Sequence, residues 1–320
     1  YGTLTARETC ADLIYFWGPK AERFARVRGI DVEYLRHPED LLMHPDYPPL
    51  VPLLYGWGAM VAGELDFWGP LVLTAFLPAA TALFVRATAS DSGALTMAFV
   101  LAYAYAQSLA AGAADPMLVL FEVVALCALT FLRDRPGGVW VASVALAAAA
   151  LTKVEGAAFA ATALLSFLLV TRRVRQTAAS ALFPALALGS WIFFARAHGL
   201  LDSYLRGGSP LRLEAAPEVI GGLARASAYH IFFLPWIAAL VPLLTRHPPL
   251  REAALPLMVT GGALAYTAFF YLHSPDPGAW ITWSGERVLL TPLAAAVVAG
   301  AAAGRARAAP AVAGVPPAEQ

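Results

Sequence analysis

Near the start of the chain, Asp12, Trp17 and Lys20 share one short polar stretch. If it is helical, Asp12 and Lys20 fall on one face with Trp17 close to it. A carboxylate beside an aromatic platform and a cation suits the handling of a sugar. An amphipathic helix resting on a membrane would explain the same residues. Next comes His44-Pro45-Asp46-Tyr47-Pro48-Pro49. Each Pro fixes its own φ and steers the preceding residue away from helix, so the segment is a rigid, extended holder for His44, Asp46 and Tyr47. The alternative is a stiff entry into a helix over 53–61.

Three further places carry charge inside or beside apolar sequence. Asp115-Pro116 opens an apolar helix, where an Asp can satisfy orphan N–H groups and Pro suits the first turn. Glu122 lies two turns deeper on the same face. A carboxyl there is a functional candidate by default, unless it is protonated or bonded to a neighbouring helix. Lys153 and Glu155 interrupt two short apolar runs. They could pair with each other, or Lys153 could meet a lipid-linked phosphate. Arg287 follows Trp280, Trp283 and Glu286 directly before the last apolar run. A cation at a helix N-terminus opposes the dipole unless an anion stands near, either Glu286 or a phosphate. Tryptophans at that depth are ordinary interface anchors.

The elements that must position these residues follow from composition. Of the 320 residues, 59% are hydrophobic and 14% charged, where soluble domains carry ~25% charged. So apolar a chain needs lipid as solvent for much of its surface. Lys+Arg and Asp+Glu are both 22, which excludes a basic nucleic-acid binder. Only Lys20 and Lys153 are lysine, the usage of a GC-rich, bacterial genome, and that makes both lysines conspicuous. Cys10 and Cys127 offer no disulfide framework.

A spanning helix needs ~20 apolar residues. Six runs meet that need, at 67–85, 94–111, 116–132, 177–195, 253–272 and 288–304. Three shorter ones, at 139–151, 156–170 and 231–245, read as short or partly re-entrant helices. The expectation is an all-α, polytopic transmembrane bundle of about nine crossings. Alternate short loops hold ten Arg on one side and only Lys153 and Arg287 on the other. The positive-inside rule puts the Arg-rich side in the cytoplasm. Outer-face loops with amphipathic helices, at 1–66 and 196–230, then flank a helical block at 67–195. Helices at 231–304 and a disordered cytoplasmic tail at 305–320 complete the chain. A polar stretch preceding the first long apolar run implies a further transmembrane helix upstream.

These five segments, in order and on one face, resemble the GT-C superfamily of polyprenyl-phosphate-sugar-dependent glycosyltransferases, which includes protein O-mannosyltransferases and lipid A aminoarabinose transferases. Asp12, Trp17 and Lys20-Ala21 are similar to a D-x-x-x-x-W-x-x-K-A pattern, and His44 to Pro48 to an H-P-D-Y-P segment. Asp115 is similar to an acidic residue at a later outer helix end. Leu151-Thr152-Lys153 resembles an L-T-K element, and Glu286 to Leu290 an E-R-x-L-L start. The first transmembrane helix is absent, and Lys153 is followed by Val-Glu-Gly where many relatives have Gly at once. The resemblance implies a sugar on a polyprenyl phosphate as donor, an inverting attack by an acceptor hydroxyl, and a site facing the periplasm or exterior of the plasma (inner) membrane. It assigns Asp12 as general base, with Asp46 or Asp115 as supporting carboxylates. Lys153 and Arg287 clamp the phosphate, and Trp17, Lys20, His44, Tyr47 and Glu155 complete the binding set. No cofactor is implied. Asp46 and the histidines are residue types that could hold a divalent ion, but no spacing demands one and none is indicated. Neither the sugar nor the acceptor (glycan, lipid or protein) is read by a motif. A lipid-linked-sugar flippase or a non-catalytic membrane scaffold would share the helices.

Overall fold

The computed structural model describes residues 10–36, 44–63, 68–106, 113–200, 210–231, 233–245 and 250–308. Among them the chain is all helix and turn, with no strand. The helices are α1 (Gly18–Val27), α2 (Val32–Arg36), α3 (Leu50–Ala62), α4 (Trp68–Thr88), α5 (Asp91–Ala106), α6 (Asp115–Phe131) and α7 (Gly138–Thr152). They continue as α8 (Val154–Thr171), α9 (Val174–Ala197), α10 (Ala216–Ile231), α11 (Leu234–Thr245), α12 (Leu250–Leu272), α13 (Pro277–Val288) and α14 (Leu290–Ala308). His37 and the segments 201–209, 246–249 and 309–320, with Arg246, lie outside the described residues, and of the tail expected at 305–320 the residues 305–308 are helical and end α14.

Five described stretches are long and apolar enough to cross a bilayer: Trp68–Thr88, Val154–Thr171, Val174–Ala197, Glu252–Leu272 and Pro277–Arg305. They suit a multi-pass membrane protein. Their outer faces carry exposed Leu73, Phe76, Leu83, Leu165, Leu169, Leu186, Phe193 and Phe269, side chains that want lipid. Several helix hydroxyls are satisfied internally, as Thr81, Thr152, Thr171 and Thr260 each donate to the carbonyl four residues back. α14 runs through the middle. Ala294–Ala296 and Ala301–Ala303 are buried, and α5, α6, α11 and α12 pack around it. Its small side chains let backbones approach closely, which is how helices associate where lipid removes the hydrophobic drive.

The helix ends explain the site. Helices α4 to α9 alternate in direction through short connections, so Asp115, at the start of α6, and Lys153, between α7 and α8, come to one end. At the other end sit the ion pairs of Arg86 with Asp91 and of Arg173 with Asp134, and the bond from Arg305 to the Thr88 carbonyl. The first polar stretch is helical from Ala11, but Leu13–Trp17 forms a π-helical turn. That turn changes the register, so Asp12 and Lys20 do not present to the same space. Leu13, Trp17 and Ala21 pack with Val51, Tyr55, Leu71, Ala114 and Met117, which fixes the segment on α3, α4 and α6. Gly56 permits the contact, since a Cβ there would stand 2.9 Å from the Ala21 carbonyl oxygen.

Candidate active site

At the end where Asp115 and Lys153 meet, a cleft of about 790 Å³, open mouth included, lies between the first segment, the α7–α8 break and α13. Asp12, Trp17, His44, Tyr47, Lys153, Glu155 and Arg287 all line it. Seven of the ten side chains singled out in the sequence, spread over 275 residues, thus reach one cavity.

Its floor is ionic. Arg287 Nη1 donates to Asp12 Oδ1 at 3.0 Å, and Nη2 donates to Asp12 Oδ2. The same guanidinium bonds Asp115 Oδ2 from Nε at 3.1 Å and Nη2 at 2.9 Å. Lys153 Nζ donates to Asp115 Oδ1 at 3.1 Å and stands 3.4 Å from Glu155 Oε1. The result is a chain, Asp12–Arg287–Asp115–Lys153–Glu155, drawn from four separate elements. Asp115 was expected as a helix cap, but the helix has no side-chain cap, and its carboxylate crosses to the two cations instead. Arg287 was expected at a helix N-terminus. It sits in the last turn of α13, where the dipole favours a cation, and the anions it meets are Asp12 and Asp115.

The break that carries Lys153 is a local device. Thr152 ends α7, Val154 starts α8, and Lys153 alone is extended at φ −152° and ψ 163°. Gly156 makes the tight junction possible, because a Cβ there would lie 2.0 Å from the Ala149 carbonyl oxygen. α13 is equally defined at its start, with Pro277 in the first turn and Asp276 accepting from the Ala279 N–H. Trp280, Trp283, Ser284 and Arg287 then fall on one face, and all four line the cleft. This spacing is legible in the sequence, but the two tryptophans read there as interface anchors. Tyr15 and Phe16 also line the cleft and were not singled out.

Aromatic rings form the walls. Phe16 meets Trp17 edge-on at 4.3 Å and Tyr47 at 5.3 Å, and His44 lies 5.2 Å from Tyr47. Trp280 and Trp283 are 5.3 Å apart on the facing helix. Behind this wall the other expected ligands serve as supports. Lys20 is buried and does not line the cleft. Its ammonium donates to the His44 carbonyl at 2.9 Å and lies 4.2 Å over the Phe16 ring. Burial pulls its pKa down to about 7 against the opposing pull of Asp46. Asp46 is buried too, and its carbonyl accepts from Trp191 Nε1 at 3.0 Å, which pins the Pro-rich segment to α9. His44 holds a left-handed φ of 38°. Burial pushes its imidazole down to about 4, with Asp46 acting upward, so it enters the cleft neutral at pH 7. His198 and His273 pack instead on Phe194 and Phe269.

A second, smaller cavity lies on the inner side of the ionic floor. Lys153, Glu155, Arg287 and Val288 line both cavities, and Leu118, Phe159, Thr162, Ala263, Tyr266 and Thr291 line the inner one. Just beyond, Glu122 Oε2 accepts from Thr291 Oγ1 at 2.8 Å, the inter-helix bond that the sequence left open for it. Among the described residues no group of three or more His, Cys, Asp or Glu could hold a metal ion. No family model, curated protein or solved structure matches this chain.

Proposed function

We propose that the protein is an integral-membrane glycosyltransferase that moves a sugar from a polyprenyl-phosphate carrier to an acceptor hydroxyl, with inversion. One observation carries the reading. Lys153 and Arg287 stand between an outer cleft walled by aromatic rings and an inner cavity where Leu118, Ala158, Phe159, Ala263 and Val288 lie beyond the charged groups, among three threonines and Tyr266. A lipid-linked phosphosugar has the same order of parts, with an apolar chain, an anionic phosphate and then a sugar. Such a donor would put its chain toward α8 and α12, its phosphate on the two cations and its sugar among Trp17, Tyr47, Trp280 and Trp283.

The chemistry asks little beyond this. The leaving phosphate needs charge stabilisation more than a proton, and Arg287 and Lys153 supply it. The acceptor hydroxyl needs a base within ~3 Å, and Asp12 and Glu155 both line the cleft. In this reading α4 to α9, α11, α12 and α14 make nine crossings, with the cleft on the extracytoplasmic face of the plasma membrane. The loop arginines support that orientation, since the positive end is the one opposite the cleft.

The test uses the natural full-length protein, purified in detergent, and a panel of farnesyl-phosphate hexoses and pentoses. Release of farnesyl phosphate from at least one donor in the presence of an envelope-glycan or peptide acceptor is the expected result. Binding of farnesyl phosphate without release from any donor would favour a flippase. No binding at all would overturn the donor class.

A further inference from the structure

Resting on that reading, we propose that Glu155 is the general base of the transfer and that Asp12 is a positioning residue that holds Arg287. The ionic floor has three carboxylates, and they differ in what their oxygens already do. Asp12 is gripped by a fork, one guanidinium nitrogen to each oxygen. Asp115 is fully engaged, with Oδ1 on Lys153 and Oδ2 bonded twice by Arg287, and it does not line the outer cleft. Glu155 is different. Its Oε1 faces Lys153 at 3.4 Å, beyond ordinary N–H···O reach, and its buried Oε2 has no hydrogen-bond partner among the described residues.

A base must offer a lone pair to the incoming hydroxyl, and a fork consumes the lone pairs that point toward the guanidinium. A buried carboxylate oxygen left without a donor is costly, the more so when the group is charged. Such a cost persists where a ligand removes it, and an acceptor O–H is the donor that would do so. Position agrees. Glu155 lines both the outer cleft and the inner cavity, so it borders the place where sugar meets phosphate. It rides on the first turn of α8, two residues from Lys153, and Gly156 locks the break that aims both.

The step balances. The acceptor oxygen forms a bond to the anomeric carbon while the bond from that carbon to the phosphate oxygen breaks, and its electron pair leaves with the polyprenyl phosphate. The acceptor proton passes to Glu155 and then to water as product leaves. Lys153 and Arg287 receive the phosphate charge.

The experiment compares Glu155→Gln and Asp12→Asn in the full-length protein. Two readouts are taken: farnesyl phosphate affinity by quenching of tryptophan fluorescence, and turnover at saturating farnesyl-phosphate sugar. Glu155→Gln should bind farnesyl phosphate within about threefold of the unmodified protein and lose ~10²–10⁴ in turnover, the usual contribution of a base. The acid limb of the turnover–pH profile should vanish from what remains. Asp12→Asn should weaken binding more than tenfold and keep that acid limb. Should Glu155→Gln fail to fold, Glu155→Asp, which withdraws the carboxylate by one methylene, should show the same split. Turnover within fivefold of normal in Glu155→Gln overturns the assignment. So does normal binding with lost turnover in Asp12→Asn, which would mean that phosphate frees Asp12 from its fork to act as base. If the unmodified protein neither binds farnesyl phosphate nor releases it, the donor reading itself has failed.

Discussion

Removing the ammonium of Lys153 separates two explanations of that residue. Its side chain is 8% exposed and that of Asp115 4%, with 3.1 Å between charged atoms. A pair on the surface is worth ~0–1 kcal/mol. Breaking a buried one costs ~3–5 kcal/mol, because the remaining charge stays in low dielectric. Asp115 keeps Arg287, so Lys153→Ala belongs at the lower end, about 3 kcal/mol. At ~2–4 °C per kcal/mol for a chain of this order, the unfolding midpoint in detergent should fall by roughly 6 °C or more. Phosphate affinity should fall separately. One charge-assisted hydrogen bond is worth ~1.5–3 kcal/mol, roughly 10- to 150-fold in Kd for farnesyl phosphate. Lys153→Arg should recover part of the stability and less of the affinity, because a planar fork must fit where a compact ammonium sits. Adding Asp115→Asn to Lys153→Ala should restore more than ~1 kcal/mol of stability and none of the binding. A single variant within 1 kcal/mol of normal, together with an additive double variant, would refute the buried-pair argument. Normal affinity would remove Lys153 from the phosphate site.

Lys20 predicts a pH effect. Its folded pKa of about 7 lies below the ordinary value of 10.5, so between those limits the unfolded chain binds a proton that the folded chain sheds. Stability should rise from pH 7 toward pH 10, and in Lys20→Met that rise should shrink. Equal slopes in thermal unfolding would mean that the ammonium stays charged against Phe16. Gly156→Ala should cost more than ~2 kcal/mol and disable turnover, since the new methyl meets the Ala149 carbonyl. A normal melting profile would show that the α7–α8 break has slack. Reporter fusions at Gly137 and Pro277 should read cytoplasm and exterior, and the reverse pattern would invert the orientation.

The helices were legible because their cause is local. Long apolar runs give both position and length, and the observed α4 to α9, α11, α12 and α14 fall within a few residues of the runs read from sequence. The site was partly legible for a similar reason. A charge beside an apolar run needs a partner, so Asp12, Asp115, Lys153 and Arg287 stand out one by one. What a linear reading misses is who that partner is. Arg287 meets Asp12 across 275 residues, and periodicity carries no information about such a pairing. Lys20 was misplaced by a small cause, one π-helical turn at Leu13–Trp17 that no propensity announces. Trp280 and Trp283 are hard to read for the opposite reason, since anchoring at a membrane interface suffices to explain a tryptophan there, and the face they share with Arg287 gains meaning only once Arg287 has its partners.

The charge count at the floor sets how the site can work. Asp12, Asp115 and Glu155 against Lys153 and Arg287 leave one net negative charge before any donor arrives. A phosphate therefore cannot simply add itself to two waiting cations. Arg287 has five N–H bonds and spends four on carboxylates, and Lys153 spends one on Asp115 and turns another toward Glu155. Each cation thus keeps one donor in hand, enough to seat a single phosphate oxygen apiece. Stronger binding would require a carboxylate to give way, and Asp12, held by a fork, and Asp115, bonded by both cations, resist that. Donor affinity is then a difference between two ionic arrangements, which keeps it moderate. The same carboxylates hold both cations in place, so in the proposed transfer little reorganisation would remain for the moment when the leaving phosphate takes up its second charge.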